Sequence, residues 1–355
     1  MSKLFESEPI MTLAPFKDFI QQVVDGKDLS REEAQRAFQI VMKGGATPAQ
    51  MGALLVALRI KGETVDELTG AALTMRQKAL QFMAPENAID TCGTGGDSTG
   101  TYNISTATAI VTAACGVPVV KHGNRSVSSK SGSADVMAKL DVNLTASHEI
   151  MQQALDECNL CFLMAPSYHK ATRHVAPIRQ ELGLRTLFNL LGPLSNPASV
   201  KRQLMGVYDI RLIEPLANVL RELGATDVWV VHGHGGLDEI SLTGETHIVE
   251  LKNGKITRRT IHPHDAGLDL CEMKDLKGGD ATYNAQAIEQ LLAGHASAYR
   301  DIVCLNSAAS LIVAGKTDNL RDGVAIAQQA IDSTNARHVL NKLIEITNQE
   351  NLLNE

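Results

Sequence analysis

Up to about residue 80, apolar positions recur at the spacing of amphipathic helices; beyond Ile89 they fall into short runs typical of strands. Phe16 to Val24 predicts a first helix, ended by Gly26. Three more helix starts share one chemistry: Ser30 with Glu33, Thr47 with Pro48 and Gln50, and Thr64 with Glu67. Each fits a capping box, in which side chain and backbone satisfy each other's orphan groups. Pro48 falls at the first helical position, where a missing N–H costs nothing. Behind the caps lie Ala34, Ala37, Phe38 and Val41, then Met51, Leu54, Leu55 and Leu58, then Leu68, Ala71, Ala72 and Met75. Residues 1–80 thus read as a small all-helical domain behind a loose leader, Met1 to Pro15. Its small residues, Gly44, Gly45, Gly52, Ala53 and Ala57, suit close helix packing, within the domain or against a second subunit.

From Ile89 strand-like runs alternate with helical ones, the signature of parallel α/β units. Strands are expected at Ile89–Cys92, Val117–Val120, Leu160–Ala165 and Asp227–Val231, with Val207 strand-like. Helices are expected from Ser105, at Ala134–Leu140, His148–Cys158 and Leu212–Leu223, and from Asn284 onward. Thr246–Leu251 and Ile256–Ile261, turning at Asn253-Gly254, predict a β-hairpin. The fold class is α/β: the helical domain plus a larger domain, 81–355, with a mostly parallel central sheet.

Composition narrows the function. The 355 residues carry a formal charge of −7, which argues against a nucleic-acid footprint. No apolar run is long enough to span a bilayer, and the first residues lack an export signal. The six cysteines are scattered, as expected for reduced thiols in the cytoplasm. Cys158 and Cys161, the one close pair, read as core residues.

Three loops carry the candidate chemistry. The first, Asp90-Thr91-Cys92-Gly93-Thr94-Gly95-Gly96-Asp97 running on to Asn103-Ile104-Ser105-Thr106, joins a strand to a helix N-terminus and offers N–H donors and hydroxyls. It matches neither the P-loop nor the dinucleotide fingerprint, and alone it is equally well a flexible turn. The second, Lys121 to Ser133, is dense in cations and serines. The third, His232 to Glu239, ends in adjacent carboxylates, Asp238 and Glu239. In parallel sheets such loops gather at the carboxyl ends of the strands. Cations beside N–H donors suit phosphate, and paired carboxylates near phosphate suit Mg²⁺.

Cys92 to Asp97, Asn103 to Thr106, Lys121 to Ser133, Arg179 to Leu191 and Gly236 to Glu239, in that order, resemble the anthranilate phosphoribosyltransferase family over nearly the whole chain. The resemblance implies transfer of phosphoribose from phosphoribosyl pyrophosphate to the amine of anthranilate in tryptophan biosynthesis. It also implies a homodimer joined through the helical domain, and a return of part of 168–196 to that domain. Gly93, Gly96, Asp97, Thr101, Asn103, Ile104, Ser105 and Thr106 would hold phosphoribosyl pyrophosphate. So would Lys121, His122, Gly123, Asn124, Arg125, Ser126, Val127, Ser128, Ser129 and Ser133. Gly93, Asn124 and Arg179 would meet anthranilate. Two Mg²⁺ ions are implied, one on Ser105 and one on Asp238 with Glu239. No residue stands out as a catalytic base; His122 and His169 are weak candidates for assisting.

Other readings stay open. Asp97 is either a helix N-cap or a group orienting a metal-bound water or ribose hydroxyl. His232, His234, His262 and His264 read as loop histidines in preference to a metal cluster. A pyrimidine nucleoside phosphorylase has a similar architecture but uses inorganic phosphate. A non-enzymatic relative that binds nucleic acid or a partner would need a basic surface.

Overall fold

The computed structural model describes residues 16–97, 99–126 and 130–352, with side chains as far as 349. Helices α1 (Phe16–Val24), α2 (Arg31–Met42), α3 (Pro48–Lys61) and α4 (Val65–Lys78) come first. All three capping boxes form. In the first, Ser30 Oγ accepts from Glu33 N at 3.2 Å and Glu33 accepts from Ser30 N at 2.9 Å. Glu67 does more than cap. It is fully buried and also accepts from Leu29 N at 2.9 Å and Lys61 Nζ at 3.0 Å.

A seven-stranded sheet follows, in the order β3-β2-β1-β4-β5-β6-β7. The strands are β1 (Ile89–Gly93), β2 (Val119–Gly123), β3 (Leu160–Met164), β4 (Arg202–Gly206), β5 (Asp227–Gly233), β6 (Thr246–Lys252) and β7 (Lys255–Ile261). β1 to β5 run parallel, and β6 and β7 are antiparallel. The hairpin turns on Asn253 and Gly254, both at positive φ, as a two-residue turn of this twist requires.

Further helices are α5 (Ile104–Ala114), α6 (Ser133–Lys139), α7 (His148–Cys158), α8 (Ala165–Tyr168), α9 (Ala176–Leu182), α10 (Phe188–Leu194), α11 (Ile213–Glu222), α12 (Ala281–Leu292), α13 (Ala298–Val313), α14 (Leu320–Asp332) and α15 (Asn335–Leu352). Alternation along the strands sorts them by face. Leu204, Trp229, Val231 and Ile248 pack with α5 and α13. Met205, Val228, Val230 and Val249 share a core with α11 and the N-terminal helices. Ile178 of α9, and Phe188, Leu191 and Leu194 of α10, belong to that second core.

Several boundaries differ from the sequence reading. β2 starts and ends later, so Lys121 and His122 are strand residues, not loop residues. β5 runs on through His232 and Gly233. Met164 closes β3, and Ala165 opens a helical turn. β4 lies just before Val207; with Arg and Gln leading and no β-branched residue, it has little strand signature.

Candidate active site

The chain runs outward from β1 to β2 and β3 on one side and from β4 to β5 on the other. The crevice between β1 and β4 is therefore the switch point of the sheet, where ligands bind in open α/β folds. The last residues of these two strands, Gly93 and Gly206, are register partners. Asp238 sits directly on them. A Cβ on Gly206 would overlap the Asp238 backbone carbonyl, and one on Gly93 would run into its carboxylate. The two glycines are small because an acidic residue occupies the space above them.

The three loops converge there. Asp238 Oδ2 accepts from Gly95 N at 2.7 Å, and Glu239 Oε1 accepts from Ser105 N at 3.0 Å. Ser105 N is one of the orphan donors of the first turn of α5. Lys121, buried in β2, donates to Thr91 O at 2.6 Å and to Ser105 Oγ at 3.4 Å. Burial pushes both carboxyls above their ordinary range. The charge of Asp97 adds to this for Asp238, and that of Asp238 adds to it for Glu239, while Lys121 pulls Glu239 the other way.

Asp97 does not cap the helix. The N-cap of α5 is Asn103. Asp97 closes a turn instead, accepting from Thr99 N at 3.2 Å and from the Thr99 hydroxyl. Its charge also bears on Asp238, raising that carboxyl beyond what burial does. Like charges in one crevice are eased by a proton or a cation. The donor set therefore fits Mg²⁺, which takes one or two carboxylates and completes its shell with substrate oxygens and water. Among the described residues no three His, Cys, Asp or Glu side chains form a ready-made cage.

Other sequence candidates have mixed placements. Asn103 is engaged in structure: its Oδ1 accepts from Asn284 Nδ2 at 2.8 Å, and its carbonyl accepts from the Tyr299 hydroxyl at 3.3 Å. The Ile104 side chain is buried in the core, which leaves only its backbone at the helix start. Thr101 pairs with Lys277 in an isolated bridge, and Thr106 is buried with no partner for Oγ1 among the described residues. A Cβ on Gly123 would overlap Ser133 Oγ, so Gly123 too is a close-approach position. Asn124 Oδ1 accepts from Arg125 N at 2.8 Å, and Ser133 Oγ lies 3.5 Å from Asn124 O. A Cβ on Gly96 would meet the Arg185 guanidinium. Val127, Ser128 and Ser129 lie outside the described residues, as does the leader to Pro15.

His122 and His169 face each other with ring centroids 5.1 Å apart. Burial lowers them to about 3 and about 4, so both are neutral near neutrality. His232 lies within β5 with Nδ1 2.8 Å from Val207 O, and so is not in a loop. Arg179 is half-buried on α9 with its guanidinium 5.3 Å from the Phe188 ring centre. Burial alone lowers its pKa, and among the described residues it has no ion pair. Nor does any hydrogen bond among them join it to Gly93 or Asn124.

Sequence reasoning passed over two residues. Arg185 donates to Gly96 O and lies 4.3 Å from the Tyr208 ring centre, tying the segment after α9 to the glycine loop. Asp135 braces the neck of the second loop. Its sequence signal was the capping spacing from Gly132.

Two family descriptions match the chain: "Glycosyl transferase family, helical bundle domain" over residues 17–79 and "Glycosyl transferase family, a/b domain" over 85–337. The anthranilate phosphoribosyltransferase of Azospirillum brasilense is 55% identical over 342 residues, covering 96% of each chain. That of Paramagnetospirillum magneticum is 54% identical over 339 residues, covering 96% of this chain and 98% of its own. The anthranilate phosphoribosyltransferase crystal structure from Thermus thermophilus superposes with a TM-score of 0.88 at 40% identity, covering 93% of this chain and 99% of that one. The Saccharomyces cerevisiae enzyme, solved with 4-fluoroanthranilate, gives 0.85 at 25% identity, covering 95% and 99%.

Proposed function

The chain belongs to the anthranilate phosphoribosyltransferase family, and from that membership we propose that it transfers phosphoribose from phosphoribosyl pyrophosphate to anthranilate. The C1–O bond to pyrophosphate breaks and a C1–N bond to the amine forms. The amine loses one proton to solvent, and the products are N-(5-phosphoribosyl)anthranilate and pyrophosphate. The observation that carries the reading is the seating of Asp238 on the Gly93–Gly206 pair, where it is bonded to the glycine loop, with its neighbour Glu239 bonded to the start of α5.

Mg²⁺, when bound, neutralises the departing pyrophosphate. Asp238 and Glu239 hold one ion in our reading, and Ser105 Oγ holds a second. The glycine loop, the first turn of α5, and Lys121 to Ser129 with Ser133 bind the phosphate groups and ribose. The Arg179 guanidinium, partly covered and without a counter-charge among the described residues, suits the carboxylate of anthranilate; Gly93 and Asn124 complete that end. The aromatic amine is already a usable nucleophile, so placement does more than a base would. His122 and His169, neutral in this setting, are not proton acceptors of the strength a base-driven step needs.

The division we propose is 1–80 with part of 168–196 as the helical domain, and 81–355 as the α/β domain. The proposed homodimer joins through the former. Val24 on α1, Ile60 on α3 and Leu184 after α9 are apolar and exposed, which suits such a face. Free cysteines throughout suit the cytoplasm.

The decisive assay mixes the protein with anthranilate, phosphoribosyl pyrophosphate and Mg²⁺ and measures pyrophosphate against anthranilate consumed. One-to-one release is expected. Release of thymine from thymidine and phosphate, with no consumption of anthranilate, would replace this reading with a pyrimidine nucleoside phosphorylase.

A further inference from the structure

The second loop leaves β2 at Gly123 and enters α6 at Ser133. Its neck is narrow: a Cβ on Gly132 would overlap Ser126 N. The Asp135 side chain bridges the neck. Asp135 Oδ2 accepts from Ser126 N at 2.9 Å and from Gly132 N at 3.0 Å. The other oxygen, Oδ1, accepts from Arg125 Nη1 at 3.1 Å. Arg125 is largely exposed and Asp135 largely covered, so the carboxylate is the fixed partner and the guanidinium the movable one. Both N–H donors to one oxygen and the cation to the other hold the carboxyl below its ordinary range, against a burial effect that raises it.

We propose that Asp135 is a positioning residue with two separable roles. Oδ2 fixes the neck, which sets where Asn124 and Arg125 point. Oδ1 holds Arg125 in reserve as a counter-charge until an anionic group on the substrate takes its place. The step is an exchange of ion-pair partners; no covalent bond changes. This inference rests on the reading of Arg125 as a ligand of the phosphoribosyl pyrophosphate. It assigns the carboxylate no contact with substrate.

The two oxygens make the roles testable. An asparagine at 135 can keep its one carbonyl oxygen on the two amides and give up the Arg125 pair. An alanine loses both. Amide exchange at Ser126 and Gly132 should rise about tenfold or more in Asp135→Ala and stay within about threefold of the parent in Asp135→Asn. In steady-state assays, Asp135→Ala should raise KM for phosphoribosyl pyrophosphate about tenfold, and KM for anthranilate as well because Asn124 is released with the neck, with kcat changed less than about threefold. Asp135→Asn should leave KM for phosphoribosyl pyrophosphate at or below the parent's, because Arg125 is released. Unchanged exchange in Asp135→Ala overturns the neck role. An equal rise in KM in both variants overturns the division between the oxygens. A parent chain that consumes no anthranilate refutes the functional reading, and the exchange data still decide the neck.

Discussion

Gly206 contributes by being small. Any side chain there meets the backbone of Asp238, which cannot move without leaving its seat on β1 and β4. Gly206→Ala should cost about 1–3 kcal/mol of stability, as overpacking does, and reduce turnover far more than the thermal midpoint suggests. Parallel urea melts and rate assays check this; unchanged turnover would mean that Asp238 need not sit where it does. Asp238 and Glu239 add a pH signature. A carboxyl held above its unfolded value binds its proton on folding, so the ion-free protein loses stability as pH rises from the ordinary carboxylate range through neutrality. Mg²⁺ bound at this pair, as proposed, would displace those protons. The rise in unfolding temperature on adding Mg²⁺ should be larger at about pH 8 than at about pH 6. It should vanish in Asp238→Asn with Glu239→Gln. Equal rises at both pH values would count against a carboxylate site.

At the scale of the element, three caps of one type have different weights. Glu33 is half-buried and serves its own helix start, with one long bond from Gln22 Nε2 of α1 at 3.3 Å. Glu67 is sealed from water and joins Leu29, Thr64 and Lys61. Glu33→Ala should cost about 1 kcal/mol and Glu67→Ala about 3 kcal/mol or more, since it leaves two backbone amides without their acceptor and takes one of two carboxylates from the covered Lys61, whose other partner is Asp28. Chemical melts of both variants decide this; equal losses would reduce Glu67 to a local cap. The motifs themselves were legible, because a cap is written within four residues. The added partners of Glu67 were not, because Leu29 arrives from the connection before α2 and Lys61 from the end of α3. The same distinction separates β5, whose Val-rich run announces a strand, from β4, which is a strand only because β1 and β5 flank it. Asp135 was missed for a similar reason: its bonds reach back across a loop to Ser126 and Arg125.

At the scale of the whole molecule, α9 packs on α3 and α10 on α4, in a cluster that also takes in one face of the sheet, so one chain segment runs from the N-terminal helices towards the crevice. Arg185 extends from it to the glycine loop, and the carbonyl of Arg185 is itself held by Arg59 of α3 at 2.6 Å. Exposed Val24 on α1 and Ile60 on α3 are where we propose the dimer face. The parent should sediment as a dimer, and Val24→Asp with Ile60→Asp should sediment as a monomer; a double variant that remains dimeric would move the interface elsewhere.

In the proposed mechanism the acidic pair at the β1–β4 crevice binds the Mg²⁺ on which phosphoribosyl transfer depends. Loss of anthranilate fluorescence, followed with phosphoribosyl pyrophosphate across a Mg²⁺ titration, tests it in one measurement. The parent should show a rate that rises with Mg²⁺ and saturates, and Asp238→Asn with Glu239→Gln should be slower by about a hundredfold or more at every concentration. A double variant as fast as the parent, with the same Mg²⁺ dependence, would contradict it.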